Sequence, residues 1–234
     1  MTRTPPLPLL LVALLLVLAG CGSGDGSRSG SGTPAGACTY HKDGTEPAKK
    51  VDLPPSTPPT DTPTSLTIST SAGDIPVTLE AAQAPCAVNS FVSLAGQGYF
   101  DGTTCHRLST QGYFVLQCGD PTGTGRGGPG YTFADELVAN DPRLQPCGDE
   151  GGTAYCTYNA GIVAMANAGP DTNGSQFFLV YGNSKFPPSY TVLGNMGATG
   201  LKVVKQIAAK GIGTEGLGPG DGTPKEPVTI SSVK

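Results

Sequence analysis

The globular part of the chain is predicted to begin near Ser65, where apolar and polar residues start to alternate. The alternation runs through LTIS and resumes in IPVTL, and the turn sequence Ser-Ala-Gly-Asp at residues 71–74 separates the two stretches. A period of two on both sides of a Gly-Asp turn is typical of a β-hairpin. The sequence therefore predicts that the domain opens with two antiparallel strands.

Two later stretches show a helical period instead. Pro85 precedes the first, which Gly96 and Gly98 end, and Gly211 ends the second. Apolar residues three and four apart form one face of a helix. The predicted apolar faces are Val88, Phe91, Val92 and Ala95 in the first helix and Leu201, Val204, Ile207 and Ala208 in the second.

Short apolar runs separated by Gly, Pro, Asn and Asp fill the chain between these helices, and EPVTISSV at residues 226–233 predicts a final strand. Many short strands with only two helices favour a closed β-barrel capped by helices over a parallel α/β sheet. From Ser65 onward the chain has about 170 residues, which is the size of one domain.

The N-terminal segment predicts export. Arg3 is followed by an apolar run, residues 7–18, that is short for a membrane span of about 20 residues, so residues 1–20 are interpreted as a signal peptide. The sequence Leu-Ala-Gly-Cys ending at Cys21 resembles the lipobox of bacterial lipoproteins, and the alternative is an ordinary secretory signal with a chance cysteine. The preferred interpretation is an exported protein, lipid-anchored through Cys21 to the outer face of the cell membrane.

Residues 21–64 are predicted to form a tether between the membrane and the domain at residues 65–234. The tether begins with the Gly/Ser-rich sequence GSGDGSRSGSGTPAG and ends with the Pro-rich sequence PPSTPPTDTPT. The first composition favours a flexible chain and the second an extended one. Between them, the assignment of residues 38–51 stays open, because a disulfide from Cys38 would fix this part to the domain.

Cysteine usage agrees with export. Besides Cys21 there are six cysteines, which in an oxidising compartment form up to three disulfides with about 15 possible connectivities. Cys147 and Cys156 are the pair most easily joined locally. Cys38 and His41 have the spacing of two metal ligands, but the chain has only two histidines, so no metal site is expected.

Charge and motifs exclude several functions. The formal net charge is -4 and no Lys/Arg cluster stands out, which argues against nucleic acid as a partner. GTGRGG at residues 123–128 matches a dinucleotide-binding motif, but Pro129 follows it where the motif requires a helix. Cys105 and His106 are neighbours on a predicted strand and point to opposite faces. The chemistry is therefore expected to need no strong acid, base or nucleophile and no cofactor. Separately, the protein is expected to be a monomer.

Two long segments resemble the signature core of the cyclophilins, the family of peptidyl-prolyl cis/trans isomerases (EC 5.2.1.8). They are CHRLSTQGYFVLQCGDPTGTGRGGPGYTFADE, residues 105–136, and AGIVAMANAGPDTNGSQFFLVYG, residues 160–182. The resemblance covers residues 65–234. It implies an eight-stranded antiparallel barrel with a helix over each open end and a substrate groove on the outer surface.

The resemblance also implies site residues. The implied catalytic residues are Arg107, Phe114, Gln117 and Asn167, and the implied substrate-binding residues are Val115, Ala166, Gln176, Phe178, Phe186 and Tyr190. Phe186 stands where many members have Trp, and Tyr190 where many have His. Phe177, adjacent to Phe178 and of opposite parity, is expected in the core.

The strand pattern argues against one disulfide. If Arg107 and Gln117 share the groove face, Cys105 points toward the groove side and Cys118 away from it. A direct Cys105–Cys118 bridge is then expected to be awkward.

Two functions follow from the resemblance and the export signal. The leading hypothesis is a membrane-tethered prolyl isomerase that acts on Pro-containing polypeptides folding outside the membrane. In it, an apolar pocket holds the prolyl ring, and Arg107 donates to the prolyl nitrogen of the twisted amide. The alternative is a non-catalytic chaperone or binding module for Pro-containing segments on the cell surface, which would have no need of the arginine.

Overall fold

A computed structural model describes residues 36–139 and 141–234. The predicted signal peptide and the predicted lipid acceptor Cys21 lie outside the described residues. The described chain is mainly β, as the sequence predicts, and contains two α-helices, α1 (Pro85–Gly96) and α2 (Gly197–Ala209). Neither of these two helices is long and apolar enough to cross a membrane. The strands are β1 (His41–Lys42), β2 (Ser65–Thr70), β3 (Gly73–Leu79), β4 (Arg107–Ser109), β5 (Phe114–Cys118), β6 (Tyr131–Thr132), β7 (Leu144–Glu150), β8 (Thr153–Tyr158), β9 (Ile162–Met165), β10 (Phe177–Gly182), β11 (Ser184–Phe186), β12 (Val192–Asn195), β13 (Ile212–Gly218), β14 (Asp221–Pro224) and β15 (Ile230–Val233).

The main sheet closes on itself. Ten antiparallel strands pair in the order β13-β14-β4-β5-β10-β9-β12-β3-β2-β15. The edge strand β15 is bonded to the segment that leads into β4, because Gly102 N donates to Ile230 O and Ile230 N donates to Thr103 O, both at 2.8 Å. The eight strands from β4 to β15 therefore form the closed antiparallel barrel that the sequence predicts, and the hairpin β13–β14 extends from β4.

The core lies inside this barrel. The hairpin β2–β3 forms as predicted, and in β3 the residues Ile75, Val77 and Leu79 are buried while those between them are exposed. Phe91 of α1 packs against Phe177 of β10 with ring centres 5.3 Å apart. Phe177 is fully buried, which confirms its predicted place in the core.

Both helices turn their predicted faces toward the core, where Val92, Leu201 and Ala208 are half-buried and the other predicted residues are buried. On α1, Val88, Phe91 and Ala95 are buried, and α1 begins with Pro85 because a missing N–H has no consequence in the first helical turn. On α2, Val204 and Ile207 are buried. A Cβ atom on Gly200 of α2 would lie 2.8 Å from Ile75 Cγ2, so a glycine here allows α2 to lie directly on β3.

Three disulfides form among the described cysteines, Cys38–Cys86, Cys105–Cys118 and Cys147–Cys156. The local pair Cys147–Cys156 is as predicted. The expectation that Cys105 and Cys118 are badly placed for a bridge is wrong. Strand β4 begins only at Arg107, and Cys105 lies before it, where its N–H donates to Val228 O beside β15. The alternation of β4 does not extend back to Cys105, so both cysteines enter the barrel interior, where they are 4% and 1% exposed.

Part of the predicted tether is a structured arm. The N-terminal arm, residues 38–55, is attached to the barrel by contacts that include the Cys38–Cys86 disulfide, the pairing of β1 with β6, and Lys49. The Lys49 Nζ donates to Gly98 O at 2.6 Å, just after the end of α1. The possibility that a disulfide fixes this segment to the domain is therefore confirmed.

A separate three-stranded sheet lies beside the barrel. Strands β7 and β8 form a hairpin, closed by the Cys147–Cys156 disulfide, that pairs with β11 in a separate three-stranded sheet. In this sheet Phe186 is the direct partner of Cys156. The hairpin therefore supports the strand that carries a predicted site residue.

Candidate active site

Two adjoining pockets lie on the outer face of the barrel, over strands β4, β5, β9 and β10. The first pocket has a volume of about 240 Å³ and the second about 440 Å³, and they share Gln117, Ala166 and Asn167. Of the predicted site residues, Gln176 lines the second pocket and Phe114 lines neither. The first pocket is lined by Arg107, Tyr113, Val115, Gln117, Ala166, Asn167, Phe178, Phe186 and Tyr190.

Aromatic rings form the floor and one wall of the first pocket. Phe178 is 5% exposed, and its ring centre lies 5.3 Å from that of Tyr190 and 5.7 Å from that of Phe186. Tyr158 packs behind them with its ring 5.5 Å from Phe186. Edge-to-face and tilted pairs of this kind hold aromatic side chains in place. The result is a rigid apolar cavity that suits a small hydrocarbon ring.

Arg107 stands at the rim of this cavity in a fixed orientation. Its Nε donates to both carboxylate oxygens of Asp221, at 2.9 and 3.0 Å, and its Nη2 donates to Asp221 at 2.8 Å and to the Tyr113 hydroxyl at 2.6 Å. Its Nη1 points to Gln117 Oε1 at 3.5 Å. Two of the three guanidinium nitrogens are thus occupied, and Nη1 is the one left to meet a ligand.

The Asp221 contact also fixes the charge of Arg107. Burial alone would lower the pKa of the guanidinium, but its hydrogen bonds to Asp221 and Tyr113 outweigh burial and raise that pKa. Asp221 itself is 7% exposed, and a buried carboxylate is stable when it is paired and hydrogen-bonded. The site therefore presents a permanently charged donor in a planar, fixed fork.

Gln117 and Gln176 connect the two pockets. Gln117 Nε2 donates to Gln176 Oε1 at 2.9 Å, and Gln176 Nε2 donates to the carbonyls of Gly125 and Gly127 at 3.0 Å. Gln176 lies directly before β10 and two residues before Phe178, so strand alternation places it on the same outward face as Phe178, opposite to the buried Phe177.

Ala166 and Asn167 follow directly after β9 and form the ridge between the pockets. Ala166 N donates to Gln176 O at 2.9 Å. Asn167 Nδ2 donates to Ser189 O at 2.8 Å, and Asn167 Oδ1 accepts from Gly169 N. The Asn167 side chain is therefore held from both ends, beside Gln117.

Phe114 was assigned to the site by resemblance, and this assignment is corrected by the structure. Its ring packs against Tyr181 in the barrel core at 5.9 Å, and Tyr113 lines the pocket instead. The reason is parity: Val115 and Gln117 face outward, so the residues one position from them face inward. The same alternation predicts that Tyr113, two residues before Val115, faces outward into the pocket.

Asp221 was also missed. It lies 114 residues after Arg107 in the sequence, in a Gly-rich segment without a recognisable motif. Strand β14 brings it beside Arg107 because Gly222 pairs with Leu108. Only the pairing of β14 with β4 reveals this contact.

The Gly-rich loop at residues 123–128 opens no helix, as the sequence predicts, and Asp120 occupies several of its backbone donors. The Asp120 carboxylate accepts from the N–H groups of Thr122, Thr124, Arg126 and Gly127 at 2.7 to 3.1 Å. A Cβ atom on Gly127 would lie 2.1 Å from Asp120 Oδ1. These N–H groups are therefore bound to the protein's own carboxylate and are not available to a phosphate.

Cys105 and His106 provide no nucleophile and base. Cys105 is held in a disulfide, and burial lowers the pKa of the His106 imidazole, against the opposing effect of the Asp120 charge. The His106 ring lies under Gly125, with Cδ2 3.3 Å from the position of a Cβ atom there. Within residues 36–139 and 141–234, no three His, Cys, Asp or Glu side chains are grouped as metal ligands.

A family model and an individual relative that match this chain both point to the same family. Residues 65–234 match the family model described as cyclophilin type peptidyl-prolyl cis-trans isomerase/CLD. The chain is 48% identical over 205 residues to the probable peptidyl-prolyl cis-trans isomerase B of Mycobacterium tuberculosis, covering 84% of this chain and 63% of that protein. The chain therefore spans less than two thirds of the length of this relative.

Two solved structures share the fold. A cyclophilin type peptidyl-prolyl cis-trans isomerase of Cryptosporidium parvum has a TM-score of 0.56 and 27% identity, covering 73% of this chain and 95% of that one. The same protein in the presence of the dipeptide Ala-Pro has a TM-score of 0.54 and 28% identity, covering 72% of this chain and 96% of that one.

Proposed function

The chain belongs to the cyclophilin-type peptidyl-prolyl cis-trans isomerase family, and from this premise we propose that it accelerates rotation about X-Pro peptide bonds. The observation that carries the proposal is a guanidinium fixed at the rim of an aromatic pocket, with one nitrogen left to meet a ligand. The related structure obtained in the presence of Ala-Pro supports a Pro-containing polypeptide as the substrate.

The reaction needs no bond to break. Rotation about an amide costs about 18 to 20 kcal/mol because resonance is lost in the twisted state. Free X-Pro bonds isomerise in tens to hundreds of seconds. A catalyst therefore has to stabilise the twisted amide more than the planar one.

The first pocket supports this role. The rings of Phe178, Phe186 and Tyr190 hold the prolyl ring on one side of the rotating bond. As the amide twists, the lone pair localises on the prolyl nitrogen, and Arg107 Nη1 donates to it. Asp221 keeps the guanidinium in place, so little reorganisation is needed when the charge develops. Gln117 and Asn167 hold the peptide backbone beside the pocket.

The alternative function is a non-catalytic module that binds Pro-containing segments. A protease-coupled assay of the purified chain, with a chromogenic X-Pro peptide, distinguishes the two. The proposal expects isomerisation well above the spontaneous rate at nanomolar to micromolar protein. A rate equal to the spontaneous one, together with saturable peptide binding in a calorimetric titration, would instead favour the binding module.

We further propose that the protein is exported and lipid-anchored through Cys21 to the outer face of the cell membrane. Three disulfides in the described domain support an oxidising compartment, and the lipobox resemblance at residues 18–21 supports the anchor. The proposed clients are proteins that fold outside this membrane.

Replacing Cys21 by serine is expected to move the protein from the membrane fraction to the soluble exported fraction, because lipid attachment requires the thiol. Cell fractionation followed by immunoblotting measures the change. Ser23→Ala, two residues away, is the matched control and should stay with the membrane. Retention of Cys21→Ser in the membrane fraction would contradict the anchor.

A further inference from the structure

The N-terminal arm reaches the second pocket. Asp43, directly after β1, is one of the residues that line it, and its N–H donates to Gly130 O at 3.3 Å. Asp43 Oδ1 accepts from Thr45 N at 2.8 Å and from Thr45 Oγ1 at 2.7 Å. This local turn fixes the carboxylate at the rim, where it is exposed to solvent.

The arm is a fixed wall of the pocket. Tyr40 packs between Tyr131 and Phe133 with ring distances of 5.6 and 5.7 Å, and its hydroxyl donates to Cys86 O at 2.9 Å. Farther along, Ala48 N donates to Gly128 O at 2.9 Å. The arm therefore braces the segment at residues 128–133, part of which lines the second pocket.

A second charged group lies on the same pocket. Arg126 lines it from the Gly-rich loop, and neither Asp43 nor Arg126 forms an ion pair with any residue in the described part of the chain. The other charged residues of β1 and the following turn, His41, Lys42 and Glu46, are exposed and do not line the pocket. The rim thus carries one acid from the arm and one base from the barrel.

The second pocket lies next to the proposed proline pocket. The two share Gln117, Ala166 and Asn167, so a peptide with proline in the first pocket places a nearby side chain in the second. The choice of a Pro-containing peptide as the ligand of the second pocket rests on the proposed function. The geometry of the second pocket does not.

We propose that the N-terminal arm is a specificity element, in which Asp43 favours substrates with a Lys or Arg side chain close to the proline. Arg126 acts in the opposite sense and favours an acidic side chain. An exposed ion pair contributes about 0.2 to 1 kcal/mol. Each group is therefore expected to change selectivity by up to about fivefold at low salt.

The experiment measures the ratio of kcat/KM for a Lys-containing peptide to kcat/KM for a Glu-containing peptide. Two X-Pro peptides differ only in having Lys or Glu two residues before the proline, and kcat/KM is determined for each. Asp43→Asn is expected to lower the Lys-to-Glu ratio by up to about fivefold, and Arg126→Gln to raise it by a similar factor. A second peptide pair, with the charged residue two positions after the proline, identifies the side on which the pocket acts.

Asp61→Asn is the matched control, because Asp61 is exposed and lies outside both pockets. It should leave the ratio unchanged, and salt near 1 M should remove most of the Asp43 effect because the screening length falls to about 3 Å. An unchanged ratio in Asp43→Asn for both peptide pairs would overturn the proposal.

Failure of the proposed function is separable from failure of this proposal. If the wild-type chain shows no isomerisation, the same peptide pairs are compared by calorimetric titration, and the ratio of their Kd values replaces the ratio of kcat/KM. A ratio that depends on Asp43 then supports the specificity element without catalysis. A Kd ratio independent of Asp43, or no binding of either peptide, overturns it.

Discussion

Replacing Arg107 by alanine is expected to lower kcat/KM for an X-Pro peptide by about 100- to 1,000-fold, as the loss of one preorganised donor to a developing charge does in other enzymes. The reason is that Nη1 of Arg107 is the donor directed to the pocket, while its other two nitrogens are held by Asp221 and Tyr113. The protease-coupled assay measures the loss. Activity within about threefold of wild type would contradict the role of Arg107.

Two further variants separate charge from orientation. Arg107→Lys should recover little activity, because an ammonium lacks the planar fork that Asp221 holds. Asp221→Asn should reduce kcat by a smaller factor, about tenfold, with little change in KM, because the arginine remains but is less firmly oriented. A melting temperature close to wild type in Arg107→Ala shows that lost activity is not lost folding. Equal activity of Asp221→Asn and wild type would show that Asp221 does not position Arg107.

The fold was predictable from local patterns. A period of two identified the hairpin β2–β3, and helical periods ended by glycines identified α1 and α2, because burial of one face imposes those periods on the sequence. The pattern of many short strands with two helices also favoured a closed barrel, but the place where the barrel closes was not predictable. It depends on bonds between Gly102 and Ile230, which are far apart in the sequence, and no local pattern records such a pairing.

The site was predictable where it follows strand parity. Val115 and Gln117 lie on one face of β5, and both line the first pocket. Parity also places Tyr113 there and Phe114 in the core, so the assignment of Phe114 by resemblance overlooked a physical rule that the sequence already contained. Asp221 is different, because its contact with Arg107 exists only once β14 pairs with β4.

Strand alternation gave a wrong prediction at the point where a strand ends. The argument against a Cys105–Cys118 bridge assumed that β4 extends back to Cys105, but the chain there leaves β5 and bonds to the segment before β15. The arm shows a related limit: composition marked residues 21–64 as a tether, and only the Cys38–Cys86 pairing, one of many possible, shows which part is fixed.

Removal of the Cys105–Cys118 disulfide is expected to have a large effect on the stability of the domain. Replacing both cysteines by alanine is expected to lower the free energy of unfolding by about 3 kcal/mol, the loop entropy for a bridge of this span; its sequence separation is 13 residues. Alanine is preferred to serine, because these positions are buried and a buried hydroxyl without a partner adds its own cost. Urea unfolding with linear extrapolation measures the change.

The same variant should also lower kcat/KM, because the bridge joins the chain just before Arg107 to the residue just after Gln117, and these two side chains face each other across β4 and β5. The control is Cys38→Ala with Cys86→Ala, which removes the bridge between the arm and α1 but leaves this strand pair intact. It should keep kcat on a short X-Pro peptide within about twofold of wild type, since chain entropy alone does not act on the site. If the Cys105 and Cys118 variant lost stability but kept full activity, the strand pairing alone would hold Arg107 against Gln117, and the disulfide would serve only the barrel.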